Sequence, residues 1–444
     1  MPRDCQTPRM TDLLELADRL FTGAETPTTH SLFGYSGQLV EVAPDTAFVA
    51  AFSNVAALST DDGYVLADTS SWFACQSVHD ALHSWRPQRL DTAVFTHGHT
   101  DHCFGVDIYE SSAENHGWAP PRVVAHQAIT ARFDRYVLTK GYNGIINQRQ
   151  FQLPKPTFPT NFRYPDETFT DRLDLMVGGE TFELHHDRGE TDDHAWLWAP
   201  ERRVMCAGDL FIWAAPNCGN PQKVQRYAIE WAQALRKMAA LEPEILLPGH
   251  GLPIIGASRI RTALTESAML LEHLHTETIR MMNEGARLDD ILNTVRAPQA
   301  LLDRPYLGPI YDEPEFIIRN IWRLFGGWYD GDPSHLKPAP AAALARELAS
   351  LAGGAAVLAR RATELAASGE LRLAGHLAEL ATQADPTDPT FQATRAEVFG
   401  LRVAEEASVM AKGVFAWAAA ESRHRIEPVD EATGTDGASV DKTH

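Results

Sequence analysis

The sequence predicts an α/β layered domain followed by an all-α domain of helical hairpins. Two observations carry this. Between residue 38 and about residue 257, short apolar and β-branched runs alternate with helical stretches, the pattern of sheets covered by helices. From residue 341 to about residue 424 the chain turns to Ala and Leu at helical spacing, broken at "AGG", "ASGE" and "ADPTDPT". Length agrees, since 444 residues exceed one ordinary core and roughly 100–200 residues per domain gives two or three.

Taken in order, "QLVEVAPDTAFVAAFSNVAALSTDDGYVLADTSS" reads as hairpin strands turned at "TDDG". "WFACQSVHDALHSWRP" is a helix that Pro87 stops. "LDTAVFT" is a buried strand, and strands recur at "RVVAH", "FELHH", "HAWLWAP", "RRVMCAGD" and "EILLPGH". "SRIRTALTESAMLLEHLHTETIRMMNEG" is a long amphipathic helix ending at Gly285, and "EFIIRNIWRLFGGWYDGDPSHLKPAPA" runs from a helix into a Gly/Pro loop. The expected division is an N-terminal arm (1–37), an α/β domain (38–257), a helical extension and linker (258–340), two helical hairpins resembling tetratricopeptide units (341–426), and a polar, disordered tail (427–444).

Composition excludes several partners. With 39 basic against 59 acidic residues and a formal charge of −20, the chain lacks the Lys/Arg excess that nucleic acid or an anionic membrane surface attracts. The N-terminus shows no apolar signal region, and no run approaches the roughly eighteen apolar residues of a membrane span. A cytoplasmic protein without membrane association is the expectation. Cys5, Cys75, Cys103, Cys206 and Cys218 are odd in number and form no CxxC pair, so reduced thiols are expected.

The chemistry concentrates at "THGHTDH", which puts His97, His99, Asp101 and His102 directly after the "AVF" strand. His-x-His on a strand end sets two imidazoles on one side, while Asp101 and His102 reach a second point nearby. Nitrogen and carboxylate donors of this kind suit zinc. His-x-His-x-Asp-His after a strand resembles the signature of the metallo-β-lactamase superfamily. Two further matches stand in order at strand ends: Asp209 in "CAGD" and His250 in "LLPGHG". Where that superfamily usually has the histidine of "PGHT", this chain reads "RGET" and offers Glu190, with His185, His186 and His194 as competitors. A glutamate there is similar to the alkyl sulfatase branch. "WRLFGGWYDGDPSHLKP" and "GGAAVLARRATELAASGELRLAGHLAELATQADPTDP" resemble that branch's linker and helical dimerisation domain.

The resemblance implies an αββα sandwich, a homodimer and two Zn²⁺. His97, His99 and Glu190 would hold one ion, Asp101, His102 and His250 the other, and Asp209 would bridge them. Asp101 and Asp209 are the implied catalytic carboxylates, with a bridging hydroxide as nucleophile attacking a small anionic sulfate ester. Hydrolysis of another ester (lactone, thioester or phosphoester) is the alternative, and a non-catalytic sensor or scaffold the third reading. The branch's better-known members carry a secretory signal and a lipid-carrier-like domain not expected here, and tend to have glutamate where this chain has Asp209. Two Zn²⁺ against Asp101, Asp209 and hydroxide leave one positive charge; Glu190 removes it. An anionic ester then needs donors outside the metals, for which Tyr142, Asn143, Asn147, Arg149 and Arg226 are the candidates. Asp68 is expected to orient a histidine, and Trp196, Trp198, Phe211 and Trp213 to lie in the core.

Overall fold

The computed structural model describes residues 13–27, 30 and 34–426. The expected tail at 427–444 and the first twelve residues of the expected arm lie outside the described residues. The chain divides into two compact units, one of residues up to 148, 153–336 and 407–410, the other of residues 149–152, 337–406 and 411 onward.

In the first unit, α1 (Leu13–Phe21) buries Leu13, Leu16, Ala17 and Leu20 on one face. A seven-stranded sheet follows in sequence order: β1 (Gln38–Ala43), β2 (Thr46–Ala50), β3 (Val55–Thr60), β4 (Gly63–Ala67), β5 (Leu90–Phe95), β6 (Arg122–His126) and β7 (Glu167–Phe169). The first four pair antiparallel through short turns. From β4 onward pairing is parallel, which requires crossovers, and α2 (Cys75–Trp85), α3 (Val106–His116), α4 (Ala128–Leu138) and α5 (Lys140–Phe151) lie in them.

The second sheet has β8 (Arg172–Val177), β9 (Glu180–His186), β10 (Ala195–Ala199), β11 (Val204–Ile212), β12 (Ile245–His250) and β13 (Ile254–Ile255), in the order β13-β12-β11-β10-β9-β8. Only β11 and β12 pair parallel in it, across the α6 (Ala228–Ala240) crossover. α7 (Ala257–Asn283) packs on α6, and α10 (Pro314–Gly326) on α7, with the short α8 (Leu288–Thr294), α9 (Gln299–Leu302) and α11 (Pro333–Leu336) between and after them.

Strand alternation builds the layers. On β4, Val65 and Ala67 join Phe182 and Leu184 of β9 in the inter-sheet core, whereas Tyr64 and Leu66 pack with Val78 and Leu82 of α2. A one-residue slip would exchange the two faces, so the pattern fixes register. The result is the expected αββα sandwich, with Trp196, Trp198, Phe211 and Trp213 in its core.

Two departures from the local sequence pattern have local causes. β7 is only three residues long, and β8 carries Arg172 and Asp174 outward, so neither reads as a strand. "KGYNGIINQRQF" is helix α5, although Gly141 and Gly144 argue for a loop. His273 and His275 are half-buried on α7.

The second unit is all-helical: α12 (Ala341–Ala352), α13 (Ala355–Ala367), α14 (Leu371–Ala384), α15 (Pro389–Glu405) and α16 (Val409–Ile426). Gly353 and Gly354, both at positive φ, make the α12–α13 turn that a side chain would strain. Asp388 caps α15 by accepting from the Thr390 and Phe391 amides, and Pro389 takes the first helical position. Small residues such as Ala362, Ala374, Ala378 and Ala381 let these helices approach closely. Among the described residues no single helix is long and apolar enough to cross a membrane.

Candidate metal centre

The fold gathers four separate segments. The Thr96–His102 loop leaves β5, Glu190 lies in the β9–β10 connection, Asp209 sits within β11, and His250 closes β12. The structure brings the seven expected donors into two groups, His97, His99, Glu190 and Asp209 in one and Asp101, His102 and His250 in the other. Within each group the donor atoms lie within 4.8 Å of one another. Asp209 reaches both: Oδ2 is 3.8 Å from His97 Nε2 and 3.5 Å from His250 Nε2, and Oδ1 is 3.4 Å from His102 Nε2.

Three of the four histidines are aimed by their other nitrogen. Asp68 closes β4 at φ +64° and accepts from the Thr96 amide (2.7 Å) and hydroxyl (2.8 Å). Its Oδ2 also lies 2.7 Å from His102 Nδ1, which turns His102 Nε2 into the site. His250 Nδ1 is 2.6 Å from the Phe52 carbonyl, and a carbonyl only accepts, so that nitrogen carries the proton. His97 Nδ1 meets Thr96 Oγ1 at 3.0 Å. The inward nitrogens of His97 (Nε2) and His99 (Nδ1) converge to 2.7 Å.

Glycine is required where backbone approaches these groups. A Cβ on Gly249 would stand 2.1 Å from Asp209 Oδ1, and one on Gly98 2.8 Å from Arg132 Cδ. The Gly98 amide donates to Asp193 Oδ2 (2.9 Å), whose other oxygen accepts from buried Arg132 Nε (2.7 Å). Asp193 belongs to the same connection as Glu190, so one carboxylate ties the histidine loop to the glutamate loop.

Charge divides the two groups. Burial, followed by neighbouring cationic groups, keeps His97 and His99 well below the ordinary imidazole range. Burial also opposes protonation of His102 and His250. Asp209 and Asp101 outweigh it, holding His102 well above its usual value and His250 at about 10. Burial pushes the Glu190 carboxyl up to about 8, against the Arg226 guanidinium. Buried Glu190 Oε2 and Asp209 Oδ1 accept no hydrogen bond. Buried carboxylate oxygens without a hydrogen bond, converging with imidazole nitrogens, are costly without a cation, so this donor set fits divalent metal.

The competitors of Glu190 point elsewhere. His185 meets Glu183 (3.0 Å) and stacks on Trp196; His186 Nδ1 meets the His194 carbonyl (2.9 Å) and stacks on His126. His194 stacks beside His97 and accepts the Asp209 amide at Nε2. Of the expected substrate residues, Asn143 donates its amide to Thr139 and Asn147 to the Thr157 carbonyl, while Tyr142 is exposed on α5. Arg149 falls in the second unit. Arg226 is buried with Nη1 2.5 Å from Glu190 Oε1.

Two residues not singled out from sequence stand here. Asn217 donates to Glu190 Oε1 (2.5 Å). Lys223 is half-buried; burial and then Arg226 bring its ammonium down to about 8, against the pull of Asp101 and Glu190. A lone lysine among glutamines gives no sequence signal.

Family models match in two places, the metallo-β-lactamase superfamily over residues 50–250 and alkyl sulfatase dimerisation over residues 287–425. The chain thus carries a metallo-β-lactamase superfamily domain followed by an alkyl sulfatase dimerisation domain. It is 26% identical over 331 residues to a linear primary-alkylsulfatase of Pseudomonas sp., covering 70% of this chain and 62% of that one. It is 24% identical over 369 residues to the alkyl/aryl-sulfatase BDS1 of Saccharomyces cerevisiae, covering 76% and 56%. The chain thus spans about three fifths of the length of these curated relatives. The solved stereoselective inverting sec-alkylsulfatase Pisa1 from Pseudomonas sp. shares the fold, with a TM-score of 0.79 at 22% identity over 89% of this chain and 67% of that one.

Proposed function

We propose that this protein is a metal-dependent sulfuric ester hydrolase acting on a small alkyl sulfate. The carrying observation is the pair of donor groups, with Asp209 of the first also within 3.4 Å of His102 and 3.5 Å of His250 in the second. His97, His99 and Glu190 would hold one ion, Asp101, His102 and His250 a second, with Asp209 common to both; nitrogen and oxygen donors favour zinc. Two such ions supply Lewis acidity and lower the pKa of a shared water to about 7, so that hydroxide is available at neutral pH.

The chain's own residues do the rest. Asp101 and Asp209 orient that water by accepting its hydrogen bonds. Lys223, whose ammonium feels Asp101 and Glu190, would supply a cation outside the metals for an anionic ester. Asp68 and the Phe52 carbonyl hold His102 and His250 in register. Residues 38–257 are the catalytic domain in this reading, with 1–37 an N-terminal arm and 258–340 a helical extension and linker.

Residues 341–426 are read as the dimerisation domain. Leu344, Leu348 and Leu351 lie exposed along one stripe of α12, an apolar face that a second copy would cover. Sedimentation should show a dimer that Leu348→Glu converts to monomer; a monomeric parent protein would refute this.

The function is tested by counting metal per purified chain and measuring sulfate release from short and long alkyl sulfates beside lactone and phosphoester panels. Two equivalents with sulfate release support the reading. Fast lactone opening without sulfate release would refute it.

A further inference from the structure

Glu190 stands where the superfamily usually places a neutral histidine, and a carboxylate differs from an imidazole in two ways: it adds a negative charge, and it offers two oxygens. The structure answers both differences with the same group. Oε1 of Glu190 accepts from Arg226 Nη1 and Asn217 Nδ2, each at 2.5 Å. Oε2 accepts no hydrogen bond and lies 3.8 Å from His97 Nε2 and 3.9 Å from His99 Nδ1. One oxygen is tied back and the other is left for the site.

Arg226 is itself locked. The same Nη1 donates to the Asn217 carbonyl. Asn320 of α10 brackets its backbone, accepting from the Arg226 amide (3.3 Å) and donating to its carbonyl (2.9 Å). Gly219, in the same segment, packs so closely on α10 that a Cβ would meet the Ile317 amide at 2.2 Å. The helical extension therefore supports the glutamate through a continuous path, Asn320 to Arg226 to Glu190. Both ends of the Arg226–Glu190 pair are buried, and a buried charge without its partner is strongly unfavourable.

We propose that Arg226 is a positioning residue that makes Glu190 equivalent to a histidine: the guanidinium cancels the carboxylate's charge and blocks one oxygen, leaving a single neutral-equivalent donor. This rests on the two-metal reading above. It also restores the charge balance: with Arg226 counted, the cluster with Glu190 has the same net charge as one with an imidazole. Arg226 then acts on metal and not on substrate.

The test is metal binding, followed by calorimetric Zn²⁺ titration of the apoprotein and by the visible spectrum of the Co²⁺-substituted protein, neither of which needs a substrate. In Arg226→Met the first-site affinity should fall by about 100-fold, the upper end for loss of a ligand's support, while the second site changes little. Glu190→His alone leaves Arg226 buried without a counter-ion and should also bind poorly. The double variant Glu190→His/Arg226→Met removes both charges together and should recover the first equivalent. Two unchanged equivalents in Arg226→Met would overturn the proposal, as would a double variant that binds no better than Arg226→Met. Because the readout is metal, these outcomes stand apart from whether sulfate esters prove to be the substrate.

Discussion

The two halves of the metal centre are held in different ways. The Asp101, His102 and His250 group leans on the first sheet's strand ends: Asp68 after β4, Ser53 with its hydroxyl 3.0 Å from His102 Nδ1, and the Phe52 carbonyl between β2 and β3. The His97, His99 and Glu190 group, apart from the Thr96 hydroxyl at His97 Nδ1, leans on helices and loops distant in sequence: Arg132 of α4 through Asp193, and Asn320 of α10 through Arg226. In the first case carboxylates draw protons onto the histidines; in the second, burial keeps the histidines neutral and a guanidinium faces the carboxylate. The difference teaches that one half is supported by the sheet itself, and the other by elements added around it.

The largest effect should come from the residue that ignores this division. Asp209→Ala removes the carboxylate common to both groups, so metal analysis should find both equivalents weakened and turnover lost. Loss of one equivalent alone would mean Asp209 serves only one half. Next, Asp68→Ala should lower metal affinity or activity by about 10–100-fold, the usual cost of losing a histidine's outer partner. Titration should place most of that loss in the Asp101, His102 and His250 half; an equal loss at both sites would break the comparison.

The smallest effect concerns pH. Lys223 is charged below about 8 and neutral above it. The KM for an anionic ester should therefore rise as pH passes about 8, whereas the KM for a neutral ester should not. Lys223→Met should raise the anionic KM at pH 7 by roughly tenfold, near the low end of a charged hydrogen bond, and abolish the pH step. An unchanged profile in that variant would remove Lys223 from substrate binding.

The sequence made every donor but Glu190 easy to read. "THGHTDH" packs four candidate donors into seven positions, and Asp209 and His250 stand in short, distinctive strand-end motifs. Glu190 was legible only through a family resemblance, because a glutamate in "RGET" has no metal signature of its own. Arg226 was picked out for its charge, but its pairing with Glu190 crosses 36 residues and depends on how α10 packs, which no local pattern encodes. The Phe52 contribution is a backbone carbonyl, and such a role is invisible in side-chain chemistry. The fold followed the same rule. Alternating strands such as β4 could be read from their own residues, whereas three-residue β7 exists only because β6 and its parallel pairing recruit it.

The most direct test of the account is sulfate release by protein of known metal content. Stripped by chelator and then titrated with Zn²⁺, the protein should release sulfate from an alkyl sulfate in proportion to occupancy, reaching full rate at two equivalents per chain. Full activity in the stripped protein, or two bound equivalents with no sulfate released from any alkyl sulfate tried, would contradict it.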